Sequence, residues 1–110
     1  MSAPAFSAEL VREGGGLRVV LSGELDIASV GRLEAALPDL ASGDTLAVDL
    51  RGLSFIDSSG IHVLMRLDVE SRRDGWSLAL IRGSGGVQRV LDMCRVGERI
   101  RTVDAADRLT

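Results

Sequence analysis

The 110-residue chain has no lysine and no tyrosine, one cysteine, one histidine and two prolines. Aromatic residues make up only 3% of it, namely Phe6, Phe55 and Trp76. Each shortage excludes something. A lone Cys94 rules out an intramolecular disulfide and a thiolate metal cluster. A free cysteine behaves as a small apolar residue, so Cys94 is expected in the core. Without lysine, a phosphate loop of the G-x-x-x-x-G-K-[ST] type cannot be built. No basic stripe with interleaved aromatics is present, so no nucleic-acid partner is expected. No apolar run approaches the roughly 18 residues of a spanning helix, so no membrane insertion is expected. The first residues, "MSAPAFSAEL", carry no basic region followed by an apolar one, which argues against a signal peptide and for a cytoplasmic protein.

What is present is aliphatic. Hydrophobic residues are 45% of the chain, and Leu, Val, Ile and Ala must build the core. A length of 110 residues fits a single domain spanning 1–110. Arginine supplies all 13 basic residues, against 16 acidic ones, for a net charge of −3. The preference for arginine reads as a compositional bias and not as a site.

Residues 5–12 read as a strand, followed by a glycine turn at Gly14, Gly15 and Gly16. Leu17, Val19 and Leu21 alternate as a second strand does, and Gly23 is expected to break it. From Ile27 to Ala41 the period becomes helical, with Ile27, Val30, Leu33, Leu37 and Leu40 on one stripe. Ser29 or Asp26 would cap that helix, and Pro38 would kink it or end it early. "TLAVDL" is a strand from Thr45 to Leu50. A helix follows from about Ser59 to Arg73, with a band of apolar residues, Ile61, Val63, Leu64, Met65, Leu67 and Val69, wide enough for burial against a sheet. "WSLALI" is the next strand. Ser84 is placed to cap a helix whose stripe is Val87, Val90, Leu91 and Cys94, ended by Gly97. "RIRTV" is a last strand and "DAADRLT" a final helical turn. Alternating strands and helices predict an α/β domain with a mostly parallel sheet of four to five strands, an antiparallel edge hairpin and about three to four helices mainly on one face.

The chemistry available is sparse. Ser58 and His62 are four apart and would share a helix face, and Asp57 is adjacent. No G-x-S-x-G elbow frames them, so no catalytic group is assigned. One histidine and scattered carboxylates have no metal-ligand spacing, and no metal or cofactor is expected. "RGSGG" from Arg82 to Gly86 leads into a helix but lacks G-x-G-x-x-G. The remaining feature is Asp57-Ser58-Ser59-Gly60, between a strand and a helix. On propensity alone it is a cap, since Ser and Asp accept from the free N–H groups of a helix start.

"GELDIAS", Gly23 to Ser29, and "VDLRGLSFIDSSGIHVL", Val48 to Leu64, together resemble the STAS domain, and in particular the stand-alone bacterial anti-sigma factor antagonists. The resemblance covers nearly the whole chain and implies the STAS fold. It also implies that Ser58 is a phosphorylation site, with Ser59 the second choice. The unphosphorylated protein would bind an anti-sigma factor that is itself a serine kinase and so free a sigma factor. Phosphorylation would end the contact, and a metal-dependent serine phosphatase would restore it. The protein would be the substrate and not the enzyme, and a monomer when free. The partner-binding residues would be Glu24, Asp26, Asp57, Ser58, Ser59, Gly60, Ile61 and His62. Asp57 would orient the loop or the serine hydroxyl, or simply complement the helix dipole. Ser59 would cap the helix. Gly60 would admit a partner backbone or permit the turn. Where many relatives have Gly-Leu-Gly after the serines, this chain has Gly60-Ile61-His62, and His62 would tune the choice of partner. An alternative is a STAS module of a lipid-transport ATPase complex or a stress-signalling complex, working without Ser58 phosphorylation.

Overall fold

A computed structural model describes residues 6–105. The expected final helical turn lies mostly beyond them, as does residue 5. Strands β1 (Ser7–Glu13) and β2 (Gly16–Leu25) form an antiparallel hairpin through Gly14 and Gly15. Gly14 has φ 55°, a region glycine enters without the steric cost of a side chain. Helix α1 (Val30–Ala36) leads to β3 (Thr45–Ile56), α2 (Ser58–Asp74), β4 (Ser77–Ile81), α3 (Gly85–Met93), a 3-10 turn at Val96–Glu98 and β5 (Arg101–Val103). The sheet order is β1-β2-β3-β4-β5, with every pair after the hairpin parallel.

One face of the sheet carries the core. Leu17, Val19 and Leu21 of β2 lie beside Leu46, Val48 and Leu50 of β3, and Leu33, Val63, Leu64, Leu67, Val87 and Leu91 bring all three helices onto this face. The opposite face holds only a small cluster, Ala47, Ile81 and Val103. There Asp49, 2% exposed, receives Arg18 Nη1 at 2.8 Å and Arg51 Nη2 at 2.6 Å. Burial pushes the Asp49 carboxyl up, but the Arg51 and Arg18 hydrogen bonds outweigh it and hold the group below its ordinary range.

Several local expectations are corrected. Gly23 does not end β2. It takes φ 86° inside the strand, at a register shift between β2 and β3, as a bulge requires. Strand β3 runs six residues past Leu50, because its second half keeps pairing with β2 from Ser22↔Gly52 to Leu25↔Ile56. Helix α1 starts later than Ile27, which is 77% exposed, and stops at Leu37. Leu37 is extended (φ −83°, ψ 135°), as a residue before proline prefers. Cys94 is exposed, not in the core. Helix α3 ends at Met93, and Arg95 turns the chain at φ 57°, so Cys94 falls off the stripe that buries Val87 and Leu91. That left-handed arginine ends the helix path ahead of Gly97, which lies inside the 3-10 turn.

Candidate functional site at the start of helix α2

The long β2–β3 pair positions the site. β4 accompanies β3 only from Thr45 to Asp49, so the second half of β3 extends with β2 beyond the rest of the sheet. At its end Leu25 pairs with Ile56, and Asp57 N donates to Leu25 O at 3.3 Å. This contact joins Gly23–Ser29 to the start of α2 across about thirty residues of chain.

Asp57 is the N-cap. Its Oδ1 accepts from Ser59 N at 2.9 Å and Gly60 N at 3.3 Å, which satisfies two of the orphan donors of the helix start. The expected cap at Ser59 is therefore corrected. An extended residue just before the first turn is placed to reach those N–H groups, and Asp57 (φ −119°, ψ −171°) occupies that position. Ser58 is exposed, and its hydroxyl makes no hydrogen bond among the described residues. Asp57 does not bond that hydroxyl, and no hydrogen bond joins Ser58 to His62.

Gly60 is buried, and it has no room for a side chain. A Cβ there would lie 2.7 Å from Ile56 Cγ1 and 3.0 Å from Leu25 O. The glycine lets α2 sit directly on the ends of β2 and β3, so it faces inward and is no surface for a partner. Ile61 is half-buried and His62 exposed.

Glu24, near the end of β2, and Asp26, on the loop that follows, are half-buried. Asp26 Oδ1 accepts from Ala28 N at 3.0 Å, and Asp26 N donates to Ser29 Oγ at 3.0 Å. Ser29 Oγ in turn donates to Glu24 O at 2.7 Å. Asp26 and Ser29 thus hold the loop instead of capping α1 by side chain. The carboxylate of Glu24 has no partner among the described residues.

Ser58 and His62 stand on a ridge between two grooves. One, of about 550 Å³, runs between α2 and α3 and is lined by Ile61, Met65, Val69, Val90 and Cys94. The other, of about 360 Å³, lies toward α1 and is lined by Ile27, Val30, Glu34, Val63 and Arg66. Arg66 is ion-paired with Glu34 across that second groove. Ile27, 77% exposed on the loop after β2, adds apolar surface to the second groove, and Phe55, 46% exposed, adds some near the end of β3. Sequence reasoning missed this surface. Its signal was the apolar band of α2, wider than contact with a sheet requires. Among the described residues no three His, Cys, Asp or Glu side chains gather as a metal site, and no helix is long and apolar enough to cross a membrane.

A family model described as "Mlab, STAS domain" matches residues 8–103. No curated protein matches the chain. Among solved structures, an anti-sigma factor antagonist from Mycobacterium paratuberculosis superposes with a TM-score of 0.79 at 21% identity, covering 97% of this chain and 93% of the other. The anti-sigma factor antagonist SpoIIAA in its unphosphorylated form gives 0.62 at 24% identity, over 92% and 90%. An antisigma-factor antagonist STAS domain from Rhodobacter sphaeroides gives 0.51 at 23% identity, over 69% and 83%. At these identities the likeness is one of fold.

Proposed function

The chain belongs to the STAS domain family, and from that premise we propose that it is an anti-sigma factor antagonist, a cytoplasmic binding module and not an enzyme. The unphosphorylated form binds an anti-sigma factor serine kinase and releases the sigma factor. Phosphorylation of Ser58 switches binding off, and a metal-dependent serine phosphatase reverses it. The observation that carries this reading is the division of labour at the head of α2. Asp57 takes the capping role, and the adjacent Ser58 hydroxyl is exposed and unbonded. A kinase can reach it without opening the fold.

The physics supports a switch. A phosphate adds about −1.5 to −2 charges. At a helix N-terminus the fold tolerates an anion, because the free N–H groups and the dipole favour it. An interface does not, since the new charge stands beside the carboxylate of Asp57, its neighbour in the chain. Like charges facing each other across an interface cost several kcal/mol, and at about 1.4 kcal/mol per tenfold this weakens binding on the order of a hundredfold or more. The exposed Ile27 and the two grooves supply apolar contact area around the serine. His62, one turn along, touches both grooves and tunes which partner fits.

The test is a pull-down from native extract with wild type, Ser58→Ala and Ser58→Asp, with intact-mass analysis after incubation with ATP. Expected are a kinase-fold partner, a one-phosphate mass gain absent from Ser58→Ala, and a Ser58→Asp protein that folds normally but has lost the partner. Partner binding by Ser58→Asp at wild-type affinity, or a mass gain that survives in Ser58→Ala, would overturn the assignment.

A second reading is favoured by the name of the matching family model, which is Mlab and not that of a sigma-factor regulator. In it the same surface docks into a lipid-transport ATPase complex or a stress-signalling complex without phosphorylation of Ser58. A transporter subunit in the pull-down, with no mass gain, selects this reading.

A further inference from the structure

The sheet has two outer strands, and they differ. β5 is three residues long, Arg101–Val103, too short a template for another strand. β1 has seven residues, Ser7–Glu13, and pairs with β2 in an unbroken register. On its other side no strand lies among the described residues. β1 has no proline and no bulge, two of the devices that blunt a sheet edge.

The hairpin sets which groups of β1 face outward. Its loop is Gly14 and Gly15, closed by Glu13 opposite Gly16. The closing pair of such a two-residue hairpin exchanges both hydrogen bonds, and bonded and unbonded pairs then alternate. Glu13, Val11, Glu9 and Ser7 therefore bond β2. Ala8, Leu10 and Arg12 turn their N–H and C=O groups away from it. Phe6 continues that series, and its carbonyl accepts from Arg32 Nη1 of α1 at 3.4 Å, so the free run starts at Ala8. The side chains sort the same way. Ala8, Leu10 and Arg12 stand opposite Leu21, Val19 and Leu17 and so on the helix face, whereas Glu9 and Val11 stand opposite Val20 and Arg18 on the open face. Leu10 is 36% exposed at the margin of the sheet.

We propose that β1 pairs antiparallel with β1 of a second copy of this chain, with Leu10 on the two-fold axis. This departs from the monomer that the family resemblance implies, and it does not rest on the role of Ser58. An axis perpendicular to the sheet keeps the helices of both copies on one face and continues the sheet across the interface. Leu10 exchanges both backbone bonds with Leu10 of the second copy, and Ala8 does so with Arg12 of the second copy. The outward N–H and C=O groups of the edge are all used. The charges select this register. Centred on Leu10, Glu9 faces Val11, Ser7 faces Glu13 and Ala8 faces Arg12. Centred on Val11, Glu9 would face Glu13, and centred on Glu9 it would face Glu9 of the second copy. Like charges directly opposite are destabilising, whereas the two leucines meeting on the helix face add an apolar cross-strand pair.

Sedimentation of the full chain over a concentration series tests the pairing. Expected is a reversible monomer–dimer equilibrium. Val11→Glu places a carboxylate opposite Arg18 of its own hairpin, which the monomer tolerates, and opposite Glu9 of the second copy on both sides of the axis. Dimerisation should weaken about tenfold, the effect of two like-charge cross-strand pairs. Adding Glu9→Arg to that variant should restore dimerisation to at least the wild-type level, which a merely structural effect would not do. In the wild-type protein the amide resonances of Ala8, Leu10 and Arg12 should move with concentration along the dimer curve, a readout that does not need the variants. A monomer up to the solubility limit, resonance shifts confined to other parts of the fold, a dimer untouched by Val11→Glu, or a double variant that stays as weak as the single one would overturn the proposal.

Discussion

Asp49 and Asp57 lie eight residues apart, one within β3 and the other just past its end, and they do opposite things. Asp49 is buried on the open face of the sheet and holds two arginines, Arg18 and Arg51. Asp57 holds no arginine and accepts two backbone N–H groups. The first is an electrostatic lock between β2 and β3. The second tidies a helix start and leaves the next side chain free. The difference suits the proposed switch. An arginine beside Ser58 would capture a phosphate and fold it back onto the surface, whereas the nearest one lining its grooves, Arg66, is already engaged with Glu34. A phosphate on Ser58 would remain outward, where a partner meets it.

The contrast can be broken at four points. The largest effect on stability is expected from Gly60→Val, which drives side-chain atoms into Ile56 and Leu25 and should lower the unfolding free energy by about 3 kcal/mol. Urea denaturation measures it, and a midpoint near wild type would show that α2 can lift off the β2–β3 end without cost. Next is Asp49→Asn, expected to cost about 2 kcal/mol at neutral pH, since Arg18 and Arg51 lose a charged acceptor. The sign of its pH dependence follows from the lowered carboxyl group. The lock is fully present above the ordinary aspartate value of about 3.9 and is lost as the pH falls through the depressed folded value. The gap between wild type and variant should therefore close in acid, and a gap that widened there would contradict the lock. Asp57→Ala should cost about 1 kcal/mol, the usual loss of an N-cap, read as a lower urea midpoint. Smallest is Ser58→Ala, expected to change stability by less than about 0.5 kcal/mol, as befits an exposed hydroxyl with no bond to lose. A larger loss would give Ser58 a structural task and weaken the division of labour with Asp57.

Much of the fold was readable from residue spacing. The hairpin at Gly14–Gly16, the strand before "FIDSSG", the helix after it and the early end forced by Pro38 all rest on short-range physics: positive φ, alternation, periodicity and the restriction before proline. Cys94 failed because periodicity extrapolates a stripe and does not locate its last turn. Gly23 failed because a positive-φ glycine can sit inside a strand as a bulge when a neighbour keeps pairing. The cap went to Asp57 and not Ser59 because one residue of register decides which carboxylate or hydroxyl reaches the free N–H groups. Gly60 looked like a surface feature because a sequence does not say what stands 3 Å away.

By itself the sequence determined the order and kind of the elements and marked Asp57-Ser58-Ser59-Gly60 as a junction, because those follow from each residue and its near neighbours. Only the tertiary structure decided that the segment ending at Leu25 meets the start of α2, that Gly60 is packing and the Ser58 hydroxyl is free, and that Asp68 gathers Arg72 and Arg99. These depend on which strands pair and how far, and strand pairing is fixed by burial of the whole core.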